Sequence, residues 1–576
     1  MVIYLAVLAA LYTSIAVSWF VIPIAGRFGK VFLGTSIFAP DTFLNAGILE
    51  WGYRALLSPK LRLFDWPAGF PLSNSLATTE NLIGWQVLYT PLRTAGVSIA
   101  VAYNILLLTS LVLSAIGAAL LARRFVGSKS AGAVAGLVFG FAPFHLEHLL
   151  HLQTMAVCWA PFAILFLDRY LELRRPADAV GLAVMFLMSS LCSIYFGVFL
   201  AIVLPLYVIL CWIFKRYPFD SRSLLGLVAT GAVSVAFLMP VISHYIEFNR
   251  NVGYHHTAQA LANFSMEAAA IFRMPDWMAS WSWTRLARVS DYRSTLSFSA
   301  AFPGIVALGL AIFGAIRGIR DSRYRRATLV LLTLAILCYL LALGPILRPI
   351  NLNELRGASW LPMPGKLWLL IPGLRWPMRI FFFALLAFSI LCGFGLSFLR
   401  QNVSARSQRA LVFLAVALIT VESWPRLWLS QESVIAPDPM SLSDAYPVLA
   451  KEQDRGGVIE LPVSDQSGWR TPYLTRYTYA SSAHLRRVVA IHGSVTPPLT
   501  HTLLKAAIAA PDTTAMHYLA SRGVTRLVIH LPLMRGTQGM WLVHKLQAAG
   551  YPVIFAGNEG VIFSTTRTPA GTVYAH

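Results

Sequence analysis

The sequence predicts an all-α polytopic transmembrane bundle of about 11 helices followed by a small C-terminal α/β soluble domain, and three observations carry that prediction. Of the 576 residues, 57% are hydrophobic and only 12% are charged, about half the charged share of an ordinary soluble domain, and the mean hydropathy is +0.64. Apolar runs long enough to span a bilayer recur through residues 1–425, separated by basic clusters. From about residue 426 the pattern shifts to short β-like runs interleaved with helical ones.

Residues 2–24 form the first apolar run, with no basic leader before it and Gly26, Arg27 and Lys30 after it instead of a small-residue cleavage site. An uncleaved first helix is expected. Further spans are predicted near residues 98–121, 130–146, 154–173, 179–195, 197–214, 224–246, 298–318, 327–346, 378–399 and 409–425. Basic clusters at Arg123, Arg124 and Lys129, at Arg174 and Arg175, at Lys215, Arg216 and Arg222, at Arg317 to Arg326, and at Arg400, Arg406 and Arg409 fall after every second span. The positive-inside rule places these clusters and the N-terminus in the cytoplasm. The long connections 25–97, 247–297 and 347–377, the short turn 147–153 and the tail 426–576 then lie outside, across the membrane from the cytoplasm. This sidedness depends on reading 179–195 and 197–214 as two spans with a tight turn between them.

The net charge is +21. An excess of that size suits nucleic acid, but from Glu432 onward there are 12 basic and 9 acidic residues, so about +18 sits in short connections of the membrane half. That distribution sets topology and offers no single patch to track a phosphate backbone, so nucleic acid is excluded as a partner and the bilayer is the expected one. All five cysteines, Cys158, Cys192, Cys211, Cys338 and Cys392, lie in apolar runs, which excludes a disulfide framework and a CxxC metal site.

In the tail, Gly457–Val463, Val488–Ile491, Arg526–His530 and Val561–Phe563 read as short strands, and Thr513 to Ser521, closed by Gly523, reads as a helix. Neither a glycine-rich phosphate loop nor a nucleophile elbow is present. A lid or partner-binding module fits better than a separate enzyme.

Ionisable residues near the membrane plane cost several kcal/mol unless they face water or a ligand, and three groups stand out. The first loop carries Pro40-Asp41-Thr42, Glu50-Trp51, Asp65-Trp66-Pro67 and Thr79-Glu80-Asn81. A carboxylate there can take a proton from a hydroxyl nucleophile, and paired carboxylates can hold a divalent cation; Asp41 and Glu80 also suit plain helix starts. The second group is His145, Glu147, His148, His151 and Gln153, where Glu147 and His151 fall at i and i+4 of a continuing helix and so can share a ligand or metal, or simply reach the headgroup layer. The third is Arg375-Trp376-Pro377-Met378-Arg379, extended by Lys366 and Trp368, where two arginines can clamp a lipid phosphate or snorkel to headgroups. A further basic and aromatic set, His255, His256, Arg273, Trp277, Trp281, Trp283, Arg285 and Arg293, suits sugars and phosphates or an interfacial belt. Asp168 and Arg169, near a helix end, can pair with each other.

With Asp41 directly after the first helix, the acidic and histidine turn around Glu147, the segment Leu191-Cys-Ser-Ile-Tyr195-Phe-Gly197, Arg375-Trp-Pro-Met-Arg379 and, in the tail, Gly456-Gly-Val-Ile-Glu-Leu-Pro462 leading toward Ile491-His-Gly493, the chain resembles the GT-C superfamily of polytopic glycosyltransferases. The likeness covers most of the chain, but the first loop reads Pro-Asp-Thr where a paired-acid motif would hold a metal. The resemblance implies transfer of a sugar from a polyprenyl-phosphate carrier to a glycan, lipid or protein acceptor of the envelope. Asp41 would act as base or acceptor-orienting group, with Glu50, Asp65 or Glu80 as alternatives. Glu147 and His148 would assist at the sugar or a cation, Glu80, His145, His151 and Tyr195 would contact substrate, and Arg375 and Arg379 would hold the lipid phosphate. A transporter or lipid flippase, which would show broken helices and central charges, and a non-catalytic polysaccharide assembly factor are the competing readings. The enzyme requires its acid and its arginines to share one cavity.

Overall fold

The computed structural model describes residues 1–33, 39–149, 151–253, 255–273, 301–347, 363–371, 373–401, 403–425, 434–463, 472–493 and 496–567. The first helix, α1 (Val2–Ala16), continues through irregular turns to Arg27. The loop after it contains α2 (Ala39–Leu57) and α3 (Gln86–Thr94). Then come α4 (Ile99–Val126), α5 (Lys129–Gly140), the short α6 (Pro143–Glu147), α7 (Ala160–Leu173), α8 (Pro176–Cys192), α9 (Ile194–Ile213) and α10 (Ser221–Val252). After the short α11 (Ala258–Asn263), the helices α12 (Ile305–Arg320), α13 (Arg325–Ala342), α14 (Phe381–Leu399) and α15 (Ala405–Glu422) complete the set.

Each predicted span therefore carries a helix. Seven helical segments, Val2–Arg27, Ile99–Val126, Thr154–Leu173, Ile194–Ile213, Ser221–Val252, Arg325–Ala342 and Pro377–Leu399, are long and apolar enough to cross a membrane. This is a multi-pass membrane protein. Pro176–Cys192 is apolar but shorter, and α5 has only 12 residues. The tight turn between the two spans around residue 193 is real: Ser193 is extended at φ −160°, which ends α8 and starts α9.

Local signals fix the helix ends. Side chains of Ser98, Ser128, Asp220 and Ser404 accept from backbone N–H groups in the first turns of α4, α5, α10 and α15. Packing depends on small residues, since lipid offers no hydrophobic drive to bring helices together. A side chain on Gly140 would meet Ala115 of α4, and one on Gly395 of α14 would run into the Leu310 carbonyl of α12. Of the most apolar 18-residue stretch of Pro377–Leu399, 89% is buried, so this helix forms the hub, whereas the figure for Ser221–Val252 is 11%, as suits a helix at the lipid-facing edge.

Asp168 and Arg169 do not pair with each other. The buried Asp168 accepts from Tyr217 (3.0 Å) and is gripped by Arg124 and Arg216, while Arg169 reaches Asp178 at 2.7 Å. Successive helical residues point about 100° apart, so each takes a partner from a different neighbour.

The tail is stitched to the first loop. Strand β1 (Val31–Phe32) pairs antiparallel with β2 (Val434–Ile435). Strands β3 (Gly457–Leu461), β4 (Val524–His530), β5 (Val553–Ala556) and β6 (Gly560–Ser564) form one sheet in the order β3-β4-β6-β5, with β3 and β4 parallel and the other pairs antiparallel. The stretch Val488–Ile491 is not a strand of this sheet. Val488 instead bridges both Val458 and Ala68, its N–H donating to Pro67 (2.7 Å) and its carbonyl accepting from Phe70 (2.9 Å). The helix Pro472–His484 lies along α2, where Gly47 lets the Tyr479 backbone approach, and Trp66 Nε1 donates to Ser482 Oγ at 3.3 Å. The Trp- and Arg-rich stretch 277–293 lies outside the described residues.

Candidate active site

Three helix N-termini converge on one narrow cavity. Asp41 sits in the first turn of α2, Tyr195 in the first turn of α9, and Arg375, Trp376 and Arg379 precede α14. The positive ends of helix dipoles favour an anion there. Glu80, His151, Gln153, His492 and Gly493 complete the polar lining.

Asp41 is 6% exposed. Its Oδ2 lies 3.2 Å from His151 Nε2 and its Oδ1 lies 3.9 Å from His492 Nε2. Burial alone raises the Asp41 carboxyl, but the His151 hydrogen bond and the neighbouring His151, His492 and Arg379 outweigh it and hold it at about 2. Asp41 is thus a carboxylate at neutral pH. Burial, partly opposed by Asp41 and reinforced by Arg375, lowers the His492 imidazole below its ordinary range.

The other first-loop acids are engaged elsewhere. Glu50 is held by Arg54 (3.3 Å), Arg93 (3.0 Å) and the Tyr89 hydroxyl (3.2 Å). Asp65 accepts from the Asn74 N–H at 3.2 Å. Glu80 lines the cavity, yet its carboxylate caps α9, accepting from Ile194 N–H (2.8 Å) and Ser193 Oγ (2.9 Å). Burial pushes its carboxyl up to about 7, against those donors.

The second candidate group is divided. Helix α6 stops at Glu147, so the i, i+4 spacing of Glu147 and His151 is not realised; the chain turns and carries His151 to Asp41 instead. Gln153 lines the cavity while its Oε1 accepts from Asn45 Nδ2 at 2.7 Å. His145 is buried between Phe139 O (3.1 Å) and Ser114 Oγ (3.5 Å) with its ring against Phe382, and His148 pairs with Phe144 O at 2.9 Å. Glu147, His145 and His148 are buried outside the cavity lining.

The arginines face Asp41 across the cavity. Arg379 is 3% exposed, stacked over Trp376 (4.8 Å) and Tyr195 (5.7 Å), and forms no ion pair among the described residues. Arg375 lies over Phe264 at 4.8 Å. The Tyr195 hydroxyl fixes the loop carrying both, donating to Gly373 O (2.9 Å) and accepting from Arg375 N–H (3.0 Å). Magnesium and calcium seek several oxygen ligands. Asp41 instead has two imidazole neighbours and Glu80 serves as a cap, so the residues do not fit such an ion; among the described residues no group of three or more His, Cys, Asp or Glu is arranged to hold a metal.

His492 is the residue that sequence reasoning passed over as a site residue. Its signal is the His-Gly pair closing Val488–Ile491; Gly493 lets the tail press against the Thr78 carbonyl, where a Cβ would sit at 2.7 Å.

No protein-family model matches the sequence, and no curated protein sequence matches it. Several solved structures share its fold. The chain superposes on the arabinofuranosyltransferase AftD from Mycobacteria with a TM-score of 0.59 at 16% identity, over 98% of this chain and 42% of AftD. It therefore spans less than half the length of that neighbour. It matches the Archaeoglobus fulgidus oligosaccharyltransferase with a TM-score of 0.51 at 13% identity, over 98% of this chain and 74% of that one. With ArnT from Cupriavidus metallidurans the TM-score is 0.50 at 14% identity, over 97% and 98% of the two chains. At these identities the likeness establishes the fold.

Proposed function

We propose that this protein is a membrane glycosyltransferase that moves a sugar from a polyprenyl-phosphate carrier to an envelope acceptor on the outer side of the inner membrane, with residues 1–425 as the GT-C-like membrane domain and 426–576 as an extracytoplasmic α/β domain. The observation that carries the reading is an ionised Asp41 and a buried arginine, Arg379, in one cavity. Arg379 Nε is buried with no hydrogen-bond partner among the described residues, and an incoming phosphate can accept from it.

In the reaction, the acceptor hydroxyl attacks the anomeric carbon of the donor sugar. A carbon–oxygen bond forms to the acceptor as the bond from that carbon to the carrier's phosphate oxygen breaks, and the electron pair leaves with polyprenyl phosphate. Asp41 receives the hydroxyl proton. A carboxylate held at about 2 is a weak base toward a free alcohol, so the proton passes late, once the forming bond has acidified the hydroxyl. His151 and His492 orient the carboxylate. Arg375 and Arg379, with the α14 N-terminus, hold the charge that grows on the leaving phosphate. A carrier that delivers the donor within the membrane requires no nucleotide-binding domain.

The test is sugar transfer by the purified protein in nanodiscs, supplied with radiolabelled polyprenyl-phosphate sugars and a membrane-extract acceptor, for wild type and Asp41→Asn. Loss of a general base lowers turnover about 10²–10⁴-fold. A folded wild-type protein inert toward every donor would point to transport or assembly.

A further inference from the structure

A second cavity, of about 650 Å³, opens at the seam between the first loop and the tail. Its wall carries three acids, Asp65, Glu452 and Asp454, and three arginines, Arg455, Arg486 and Arg487. Most of these charges are internally braced. Glu452 meets Arg486 at 2.9 Å and Arg526 at 3.1 Å, Asp454 meets Arg526 at 2.9 Å, and Arg487 donates to Leu72 O at 2.6 Å. Arg455 is exposed and forms no ion pair among the described residues. Trp51 forms an apolar part of the wall, and His484 lines it with Nδ1 already accepting from Arg486 N–H at 3.1 Å.

This chemistry selects its ligand. Balanced charge disfavours a phosphate or another polyanion, and six charged residues disfavour an apolar molecule. Fixed acceptors beside fixed donors suit a neutral ligand dense in hydroxyls, each of which both donates and accepts. The two cavities are built from the same segments. Helix α2 carries Asp41 to one and Trp51 to the other, about 15 Å apart along its axis, and the tail stretch 484–493 supplies His484 to the second cavity and His492 to the first.

We infer that the seam cavity is a subsite for the non-reacting portion of a neutral oligosaccharide acceptor whose end reaches Asp41. This rests on the glycosyltransferase reading for its role, but not for its binding. The experiment uses the full chain in nanodiscs and, as probe, a size-fractionated partial hydrolysate of neutral envelope polysaccharide, measured in parallel for equilibrium binding and as transfer acceptor. Wild type, Asp41→Asn, Gln453→Trp, which fills the seam, and Arg455→Ala are compared. Longer fragments should bind more tightly than monosaccharides, and Gln453→Trp should abolish that advantage, weakening them about tenfold. Arg455→Ala should act in the same direction, and Asp41→Asn should keep the binding. Equal binding of long and short fragments, or a length advantage that survives in Gln453→Trp, overturns the subsite whatever transfer does. Length-dependent binding lost in Gln453→Trp, without transfer to any fragment from any donor, supports the subsite and overturns the transferase reading.

Discussion

Replacing Arg379 with methionine should cost activity far more than stability. The side chain is 3% exposed, and its guanidinium stacks at 4.8 Å on Trp376 and 5.7 Å on Tyr195 without an ion pair among the described residues. Removing a buried charge saves its desolvation, but taking one charge from beside buried carboxylates leaves those carboxylates less well compensated, and the lost cation–π contacts subtract about 1–2 kcal/mol. The empty protein should therefore change by no more than about 3 kcal/mol in either direction. In the transfer reaction the same change removes two charge-assisted hydrogen bonds to phosphate at about 1.5–3 kcal/mol each. At about 1.4 kcal/mol per tenfold, the loss is roughly 10²–10⁴ in kcat/KM. The assays are thermal unfolding in nanodiscs without donor and transfer kinetics across donor concentrations, with Arg379→Lys as the variant that keeps charge but not the planar fork. A lowered unfolding midpoint for Arg379→Met with transfer within threefold of wild type would refute the phosphate assignment and leave Arg379 as an aromatic brace.

Glu80 gives a pH signature. Its folded-state carboxyl is raised from 4.5 to about 7, so the fold favours the protonated form; the stability is complete below about pH 4.5 and is lost as pH rises through about 7. Unfolding midpoints of Glu80→Gln should therefore change less than those of wild type over that window, and parallel curves would refute the shift. Trp66 tests the seam between loop and tail. It is fully buried and donates to Ser482, so Trp66→Ala should cost about 3–5 kcal/mol. Limited proteolysis should then release the tail, and transfer should fall with His492 withdrawn; a tail that stays protected would show that the strand and bridge contacts suffice without Trp66.

The membrane helices were legible because their determinants are local: apolar length, capping serines and basic turns lie within each segment. The Ser193 break is local too, since a short polar residue sits between two apolar runs. Legibility failed where the partner is distant in sequence. Val488–Ile491 has the composition of a strand, but Val488 finds its hydrogen bonds on Pro67 and Phe70 of the first loop. Glu147 and His151 have helical spacing, and only the end of α6 and the pull of Asp41 show that the spacing is not used. Among four plausible first-loop acids, charge alone could not choose. Arg93, Tyr89, Asn74 and the α9 N-terminus engage three of them, leaving Asp41 as the acid set between histidines.

That distribution of partners ties the tail to the electrostatics of Asp41. Asp41 alone, in a dry pocket, would rise toward the neutral acid and lose its value as a proton acceptor. Its ionisation depends on His151 from the turn after α6, His492 from the tail and Arg379 from the approach to α14. The three arrive on separate parts of the chain and meet only when loop, bundle and tail are assembled. The β1–β2 pairing, the Val488 bridges and the helix along α2 secure the tail to the loop that bears the acid. The same contacts leave the seam cavity between them, so one set of interactions both keeps Asp41 ionised and shapes the seam.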